Sequence, residues 1–427
     1  MNAIDRMFSH SGKSERLVGE NRKKAYNKLY NHISDLQESK ELPTNKNYLG
    51  DNELAKSIYE KKYYLKNLEN DLIETKPEDV FKRLASFLSC NERTKVKQKK
   101  WAEAFYDNLY NGHFVPGGRV IAGAGDLYRL KTLANCFVSK IGSDDIDSIY
   151  QAAFECARTY SYGGGIGVDI SCLRPKDSIV HNAADSSTGA VSFMELYSLT
   201  TGLIGQSGRR GALMLTIDVK HPDIKHFIKV KKMPNWVTKQ IVEQCSWSGL
   251  FSENELDTIK KQVMENTQVR FANISIKASD EFMSAVDEQN KFGSDKFLVY
   301  EKKNLKMLKN APQDTERDIH YSVEIPSKDI SNYKMLNQFD SFEELKKWIK
   351  KEHGETIKKE DFSNLKKRDV FGDFVIEKST SNTQLSIRQS GDFMLYYSSE
   401  QTGEIRELIK SRSIWDQFIE GNYKTAE

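Results

Sequence analysis

Residues 201–213, Thr-Gly-Leu-Ile-Gly-Gln-Ser-Gly-Arg-Arg-Gly-Ala-Leu, set Gly205, Gly208 and Gly211 around two adjacent arginines, between a helical and a strand-like segment. Glycine lets backbone approach an anion and adopt positive φ, and the forked guanidinium groups of Arg209 and Arg210 suit phosphate oxygens. The stretch reads as a mobile clamp for a nucleotide phosphate. Taken alone it reads equally well as a surface turn with two solvated arginines.

Four other segments carry candidate chemistry. The run Val115–Gly125 offers bare backbone that can face a ligand or form a tight core crossing. Leu133–Val138 places Cys136 in an apolar, strand-like setting, where a thiol is ordinarily buried and inert. Gly142–Ile149 is an acidic cluster at a helix start, suited to capping or to ribose hydroxyls. Ser161–Pro175 enters a strand through three glycines and ends near Arg174. The five cysteines, Cys90, Cys136, Cys156, Cys172 and Cys245, show no paired Cys-x-x-Cys spacing, so reduced thiols and no metal site are expected.

The elements that must hold these segments follow from composition and periodicity. With 427 residues, 38% of them hydrophobic, the chain can bury a large core. A net charge of +3, from 64 basic and 61 acidic residues, argues against nonspecific nucleic-acid binding. There is no signal-like or membrane-spanning apolar run, so a soluble, cytoplasmic protein is expected, in the host cytoplasm if the source is viral. Residues 1–50 predict a basic helical arm and linker, with Tyr26, Leu29, Tyr30, Ile33 and Leu36 on one helix face. Residues 51–112 predict packing helices, one opened by a capping box at Thr75–Glu78. From 113 to 294 strands and helices alternate, as in a barrel or wound sheet. Residues 295–402 read as a lysine-rich insertion of peripheral helices, including one capped at Ser341–Glu344. After Gly403 a last amphipathic helix is expected to carry Ile405, Leu408, Ile409, Trp415, Phe418 and Ile419.

In their order, PGGRVIAGAG, ANCFV, DDIDSI, YGGGIGVDISCLRP, STGAVSFMELYS, TGLIGQSGRRGAL, HPDIKHFI and RFANISI resemble the large catalytic subunit of ribonucleotide reductases, most closely the vitamin B12-dependent class II branch. The resemblance covers about 51–294 and 403–427. It implies an α/β fold, the N-terminal half of a ten-stranded α/β barrel behind a helical region. It implies thiyl-radical replacement of the ribose 2′-hydroxyl, with two cysteines supplying electrons as they form a disulfide. By motif position Cys136 is implied as the first reducing cysteine, with Val120, Asn135, Gly164 and Gly165 as substrate contacts. A deoxynucleoside triphosphate effector at a dimer interface is implied to meet Asp144 through its ribose and Arg174 near its phosphates. Lys176 to Thr188 then corresponds to a first specificity loop, and Gln206, Arg209 and Arg210 to a second that relays effector identity to the substrate base.

The pattern also departs from the family. The radical cysteine of an Asn-x-Cys-x-Glu loop, the second reducing cysteine and the cysteines that accept electrons from thioredoxin are not found in these residues. The expectation is therefore a split reductase: a second polypeptide completes the barrel and meets the thioredoxin-type reductant, and adenosylcobalamin is the radical source. The exposed face at Trp415, Phe418 and Ile419 is expected to await that partner. The N-terminal region is shorter than the ATP cone of many members, so specificity control without an overall activity switch is expected. Competing readings are a noncatalytic deoxynucleotide-binding regulator and half of a class I large subunit served by a metal-containing radical partner. No membrane or nucleic-acid partner is expected.

Overall fold

The computed structural model describes residues 19–44, 47–181, 184–204, 211–231, 235–265, 269–303, 315–320, 323–377 and 383–425. Contacts divide the chain into two compact units. One holds Met1–Phe137 and Arg158–Gly165, the other Val138–Ala157 and Ile166–Glu427.

The first unit is helical: α1 (Glu20–Glu38), α2 (Glu53–Ile58) running into a π-helical turn at Tyr59–Tyr63, α3 (Pro77–Ser89), α4 (Lys95–Tyr110) and the short α5 (Gly118–Gly123). Helix α1 is not a free arm, because Tyr26, Leu29 and Ile33 are buried in one core with Val80 and Leu84 of α3 and Ala102 and Tyr106 of α4. The apolar spacing identified the helix, and only packing shows that its stripe is spent here. The box that opens α3 lies one residue later than expected. It is the Asp79 carboxylate that accepts the N–H groups of Thr75 and Lys76, both at 3.3 Å, while Glu78 turns into the interior. At α4, Thr94 Oγ1 accepts the Lys97 N–H at 3.3 Å, one of the donors a helix start leaves without a partner.

Strands β1 (Cys136–Lys140), β2 (Gly165–Asp169), β3 (Leu213–Asp218) and β4 (Ala272–Lys277) form one sheet in that order. Pairs β2–β3 and β3–β4 are parallel. The Gly165 N–H donates to the Asn135 carbonyl at 2.8 Å, tying the start of β2 to the start of β1. The crossovers are α6 (Ile146–Ser161), α7 (Met194–Leu203), and a group of three: α8 (Ile224–Lys229), α9 (Asn235–Trp247) and α10 (Glu253–Glu265). Strand β3 buries Leu213, Leu215 and Ile217, and α8 turns Ile224, Phe227 and Ile228 inward as its spacing predicts. The hairpin of α9 and α10 was not anticipated. Helix α11 (Asp280–Phe292), capped by Ser279 Oγ on the Phe282 N–H at 3.2 Å, closes this part of the chain.

The following region is mostly strand, not peripheral helix. Strands β5 (Phe297–Lys303), β8 (Tyr333–Phe339), β9 (Phe374–Glu377) and β10 (Thr383–Gln389) make one sheet in the order β8-β5-β10-β9. Strands β6 (Thr315–His320), β7 (Val323–Ser327), β11 (Asp392–Ser399) and β12 (Gly403–Lys410) make a second, β12-β11-β7-β6. The helix expected at Ser341 is α12 (Phe342–His353), with α13 (Lys359–Ser363) after it; Leu345 and Ile349 of α12 and Phe362 of α13 pack on Val299, Leu385 and Ile387. Lysine-rich composition concealed the strands, although β11 buries six consecutive residues from Asp392 to Tyr397. The segment after Gly403 is likewise a strand up to Lys410: Ile405 stands opposite Tyr397 and Ile409 opposite Phe393. Residues 405, 408 and 409 fit a helix face and a strand equally, and the neighbouring strand decides between them. Helix α14 (Ser411–Thr425) follows, with Trp415 against Phe282 at 6.4 Å between ring centroids and Ile419 exposed.

Charge is buried deeply in this second unit. Lys328 pairs with Asp373, and Arg388 with Glu288 and Asp373, all nearly inaccessible. Flanking cations hold the Asp373 carboxyl down at about 2 despite burial. Lys220 meets Glu281 at 3.0 Å, and its carbonyl accepts the Tyr396 N–H at 2.8 Å. These bonds join the β-rich region to the loop after β3 and to α11. Among the described residues no helix is long and apolar enough to cross a membrane, and no cluster of His, Cys, Asp and Glu could hold a metal ion.

Candidate functional site

Asn135 and Cys136 open β1 and Gly164 and Gly165 open β2, so these residues lie at strand starts. Cys136 and Asn135 are exposed, against the buried, inert thiol that the apolar setting predicts; an isolated apolar run does not say which end of a strand faces solvent. Bare backbone is required here by contact. A Cβ on Gly164 would stand 2.8 Å from the Phe137 ring and 2.9 Å from Thr159 Cγ2, and Gly163, at φ +86°, would meet Arg119 Nη1 at 2.6 Å. A Cβ on Gly117 would stand 3.6 Å from Asn135 Nδ2, which places the small-residue run beside the Asn-Cys pair. Val120, in α5, is half-buried and packs on the helical core.

What holds α5 in place is a buried ion pair that sequence reading missed. Arg83 Nε donates to Glu74 Oε1 at 2.7 Å and Nη2 to Glu74 Oε2 at 3.1 Å. The remaining guanidinium protons go to the carbonyls of Ile121 at 3.0 Å, Tyr63 at 3.2 Å and Ala124. Both side chains are almost wholly buried. A buried guanidinium bonded through Nε, Nη1 and Nη2 fixes the backbone next to Val120. Nothing in the spacing of Glu74 and Arg83 marked them out.

The second cluster lies in the other unit. Arg174 Nε donates to Asp144 Oδ2 at 2.6 Å, its backbone N–H to Oδ1 at 3.2 Å and its Nη2 to the Asp144 carbonyl at 2.8 Å. Asp144 and Arg174 are thus brought together as an ion pair, each side chain 11% exposed. Burial pushes the Asp144 carboxyl up and the Arg174 contacts pull it down, with burial prevailing. Two residues from the β-rich region join them. Tyr397, fully buried, donates to the Cys172 carbonyl at 3.0 Å and reaches Asp144 Oδ2 at 3.4 Å. Gln401, in the turn between β11 and β12, accepts from Arg174 Nη2. Burial drives the Cys172 thiol up to about 12, so it stays protonated and unreactive.

Lys176 begins the loop that follows β2, and its role in the structure is carried by its backbone. Asp223 accepts the Lys176 N–H at 3.1 and 3.2 Å and the Ala190 N–H at 3.0 Å, clamping both ends of the loop. Gly189, at φ +91°, lies where a Cβ would come within 2.7 Å of Asp223 Oδ2. Asp223 is set by His221, whose Nδ1 accepts the Asp223 N–H at 3.0 Å while Nε2 donates to the Leu173 carbonyl at 2.8 Å. Burial lowers the His221 pKa, in keeping with a neutral ring bonded on both sides. The run HPDIKHFI contained this clamp without revealing its target. Gln206, Arg209 and Arg210 lie outside the described residues; their segment is bounded by the end of α7 and the start of β3.

The chain runs from an all-helical region into parallel strands, the domain order of the large-subunit class of nucleotide reductases. Residues 134–427 match the ribonucleotide reductase barrel domain and residues 49–129 its all-alpha domain. The chain belongs to the ribonucleotide reductase family.

Among curated relatives, the vitamin B12-dependent ribonucleoside-diphosphate reductase of Mycobacterium tuberculosis is 37% identical over 134 residues, covering 31% of this chain and 19% of the relative. The protein of the same name from Thermoplasma acidophilum is 41% identical over 125 residues, covering 29% and 16%. The ribonucleoside-diphosphate reductase subunit alpha of Helicobacter pylori is 27% identical over 243 residues, covering 53% and 29%. The chain thus matches less than a third of the length of these relatives.

Proposed function

We propose that this chain is the substrate- and effector-binding part of a ribonucleoside-diphosphate reductase that makes deoxyribonucleotides by thiyl-radical chemistry. The observation that carries the reading is the exposed Cys136 beside Asn135 and the obligatory bare backbone of Gly163 and Gly164. Cys136 acts as one of the two reducing thiols, with Val120, Asn135, Gly164 and Gly165 against the substrate. Asp144 accepts the effector's ribose hydroxyl, and Arg174, Lys176, Gln206, Arg209 and Arg210 serve the effector and its relay.

The radical thiol, the second reducing thiol and the thioredoxin-type contact come from outside these 427 residues, in our reading from a complementing polypeptide. Adenosylcobalamin supplies the radical when bound, a choice supported by the names of two of the relatives. His221 has both ring nitrogens engaged and is unsuited to ligate cobalt, and no described residue is assigned to the cofactor. Pairing of two copies is favoured by an apolar face on α6 and α7, where Ile146, Tyr150, Phe154, Leu199 and Leu203 are each more than half exposed.

The test is reconstitution: the chain, a polypeptide bearing an Asn-x-Cys-x-Glu loop, adenosylcobalamin, a dithiol reductant and a ribonucleoside diphosphate. Deoxynucleotide formed only with both chains is expected. Deoxynucleotide binding with no turnover under any radical source would instead favour a regulatory protein.

A further inference from the structure

Arg174 spends its guanidinium largely on its own surroundings. Nε and one Nη2 proton bind Asp144, and Nη1 donates to the Ile179 carbonyl at 3.3 Å, inside the loop that Asp223 clamps. The fourth partner is a side chain from a distant element. Gln401 Oε1 is a neutral amide oxygen, 227 positions away in sequence, on an exposed turn. That turn is closed by Ser399 Oγ, which accepts the Thr402 N–H at 3.2 Å and lies 2.8 Å from Thr402 Oγ1. The strand leading into it is fixed at Tyr397, wedged between the Cys172 carbonyl and the edge of the His221 ring, 5.6 Å between centroids. The hairpin is therefore anchored at its buried end and reaches Arg174 with its free end.

We propose that Gln401 is a place-holder for an anionic phosphate oxygen of the effector, so that the β11–β12 hairpin sets effector affinity and is displaced when the site fills. The inference rests on reading Asp144 and Arg174 as the effector site. A phosphate oxygen brings a full negative charge, so it forms an ion pair with guanidinium where the neutral amide offers only a dipole. The leaving amide is already at the surface, where water takes over its hydrogen bonds at little cost. Arg174 then keeps Asp144 and exchanges one neutral acceptor for a charged one.

Equilibrium dialysis of labelled dATP and dTTP against the full 427-residue chain tests this with wild type, Gln401→Ala, Gln401→Glu and Asp144→Ala. Gln401→Ala removes the competitor and is expected to tighten binding about 2- to 10-fold. Gln401→Glu installs a carboxylate that holds Arg174 and repels phosphate, and is expected to weaken binding at least about 10-fold. Opposite signs are the diagnostic result, since a merely structural glutamine would give losses in both. Equal losses, or no change in either, overturn the place-holder. If wild type binds and Asp144→Ala does not, that failure leaves the effector reading intact; no binding by wild type overturns both.

Discussion

The region around Asn135 and Cys136 is built from backbone and the region around Asp144 and Arg174 from side-chain charge, although both serve a nucleotide in our reading. In the first, Gly163 and Gly164 could not carry a Cβ, and a buried charged pair, Arg83–Glu74, sits behind α5 and binds backbone carbonyls. In the second, charged and polar side chains converge from the loop after β1, the loop after β2 and the β11–β12 hairpin. Rigid bare backbone suits a site where a thiol must approach a sugar closely. A network of exchangeable hydrogen bonds suits one whose occupancy has to be sensed.

The comparison can be broken most severely at Cys136. Cys136→Ser is expected to lower multiple turnover of the reconstituted enzyme by on the order of 10³-fold while leaving deoxynucleotide binding unchanged. Sustained turnover would remove Cys136 from the chemistry and reduce the first region to scaffold. Next in size is the support behind α5. Glu74→Ala leaves the Arg83 guanidinium buried without its counter-charge and should cost about 3–5 kcal/mol in denaturant unfolding. A shift of under 1 kcal/mol would mean that α5 is held by its apolar contacts alone.

A change in the second region should act on binding and spare stability. Asp144→Asn is expected to weaken effector affinity about 10- to 100-fold by dialysis. Substrate turnover at saturating effector should be retained. The smallest effect is a matter of pH. Because burial raises the Asp144 carboxyl, the folded chain holds this proton more tightly than the unfolded chain does. Ligand-free stability therefore falls as pH rises from the ordinary value of 3.8 through the folded value. Effector affinity should rise across the same window as the ionised form becomes available to accept ribose hydroxyls. Parallel slopes for stability and affinity would place the effector elsewhere.

Much of this was legible in the chain itself. The α/β alternation of residues 113–294, the inward face of α8 and the cap at Ser341 follow from local spacing, which needs no knowledge of neighbours. The order of eight short motifs was enough to resemble one family, because glycine runs that must remain bare and a cysteine at a strand start cannot be exchanged freely. Tertiary structure alone decided the rest. Whether residues 405–409 lie in a helix or a strand depended on β11 standing beside them. Cys136 is accessible and Cys172 is not, although both lie in apolar sequence, because one opens a strand and the other is sealed under Tyr397. Tyr397 and Gln401 meet Asp144 and Arg174 across more than 200 positions. No local pattern encodes such a meeting, since it is created when two separately patterned elements bury their apolar faces and bring the polar groups at their edges together.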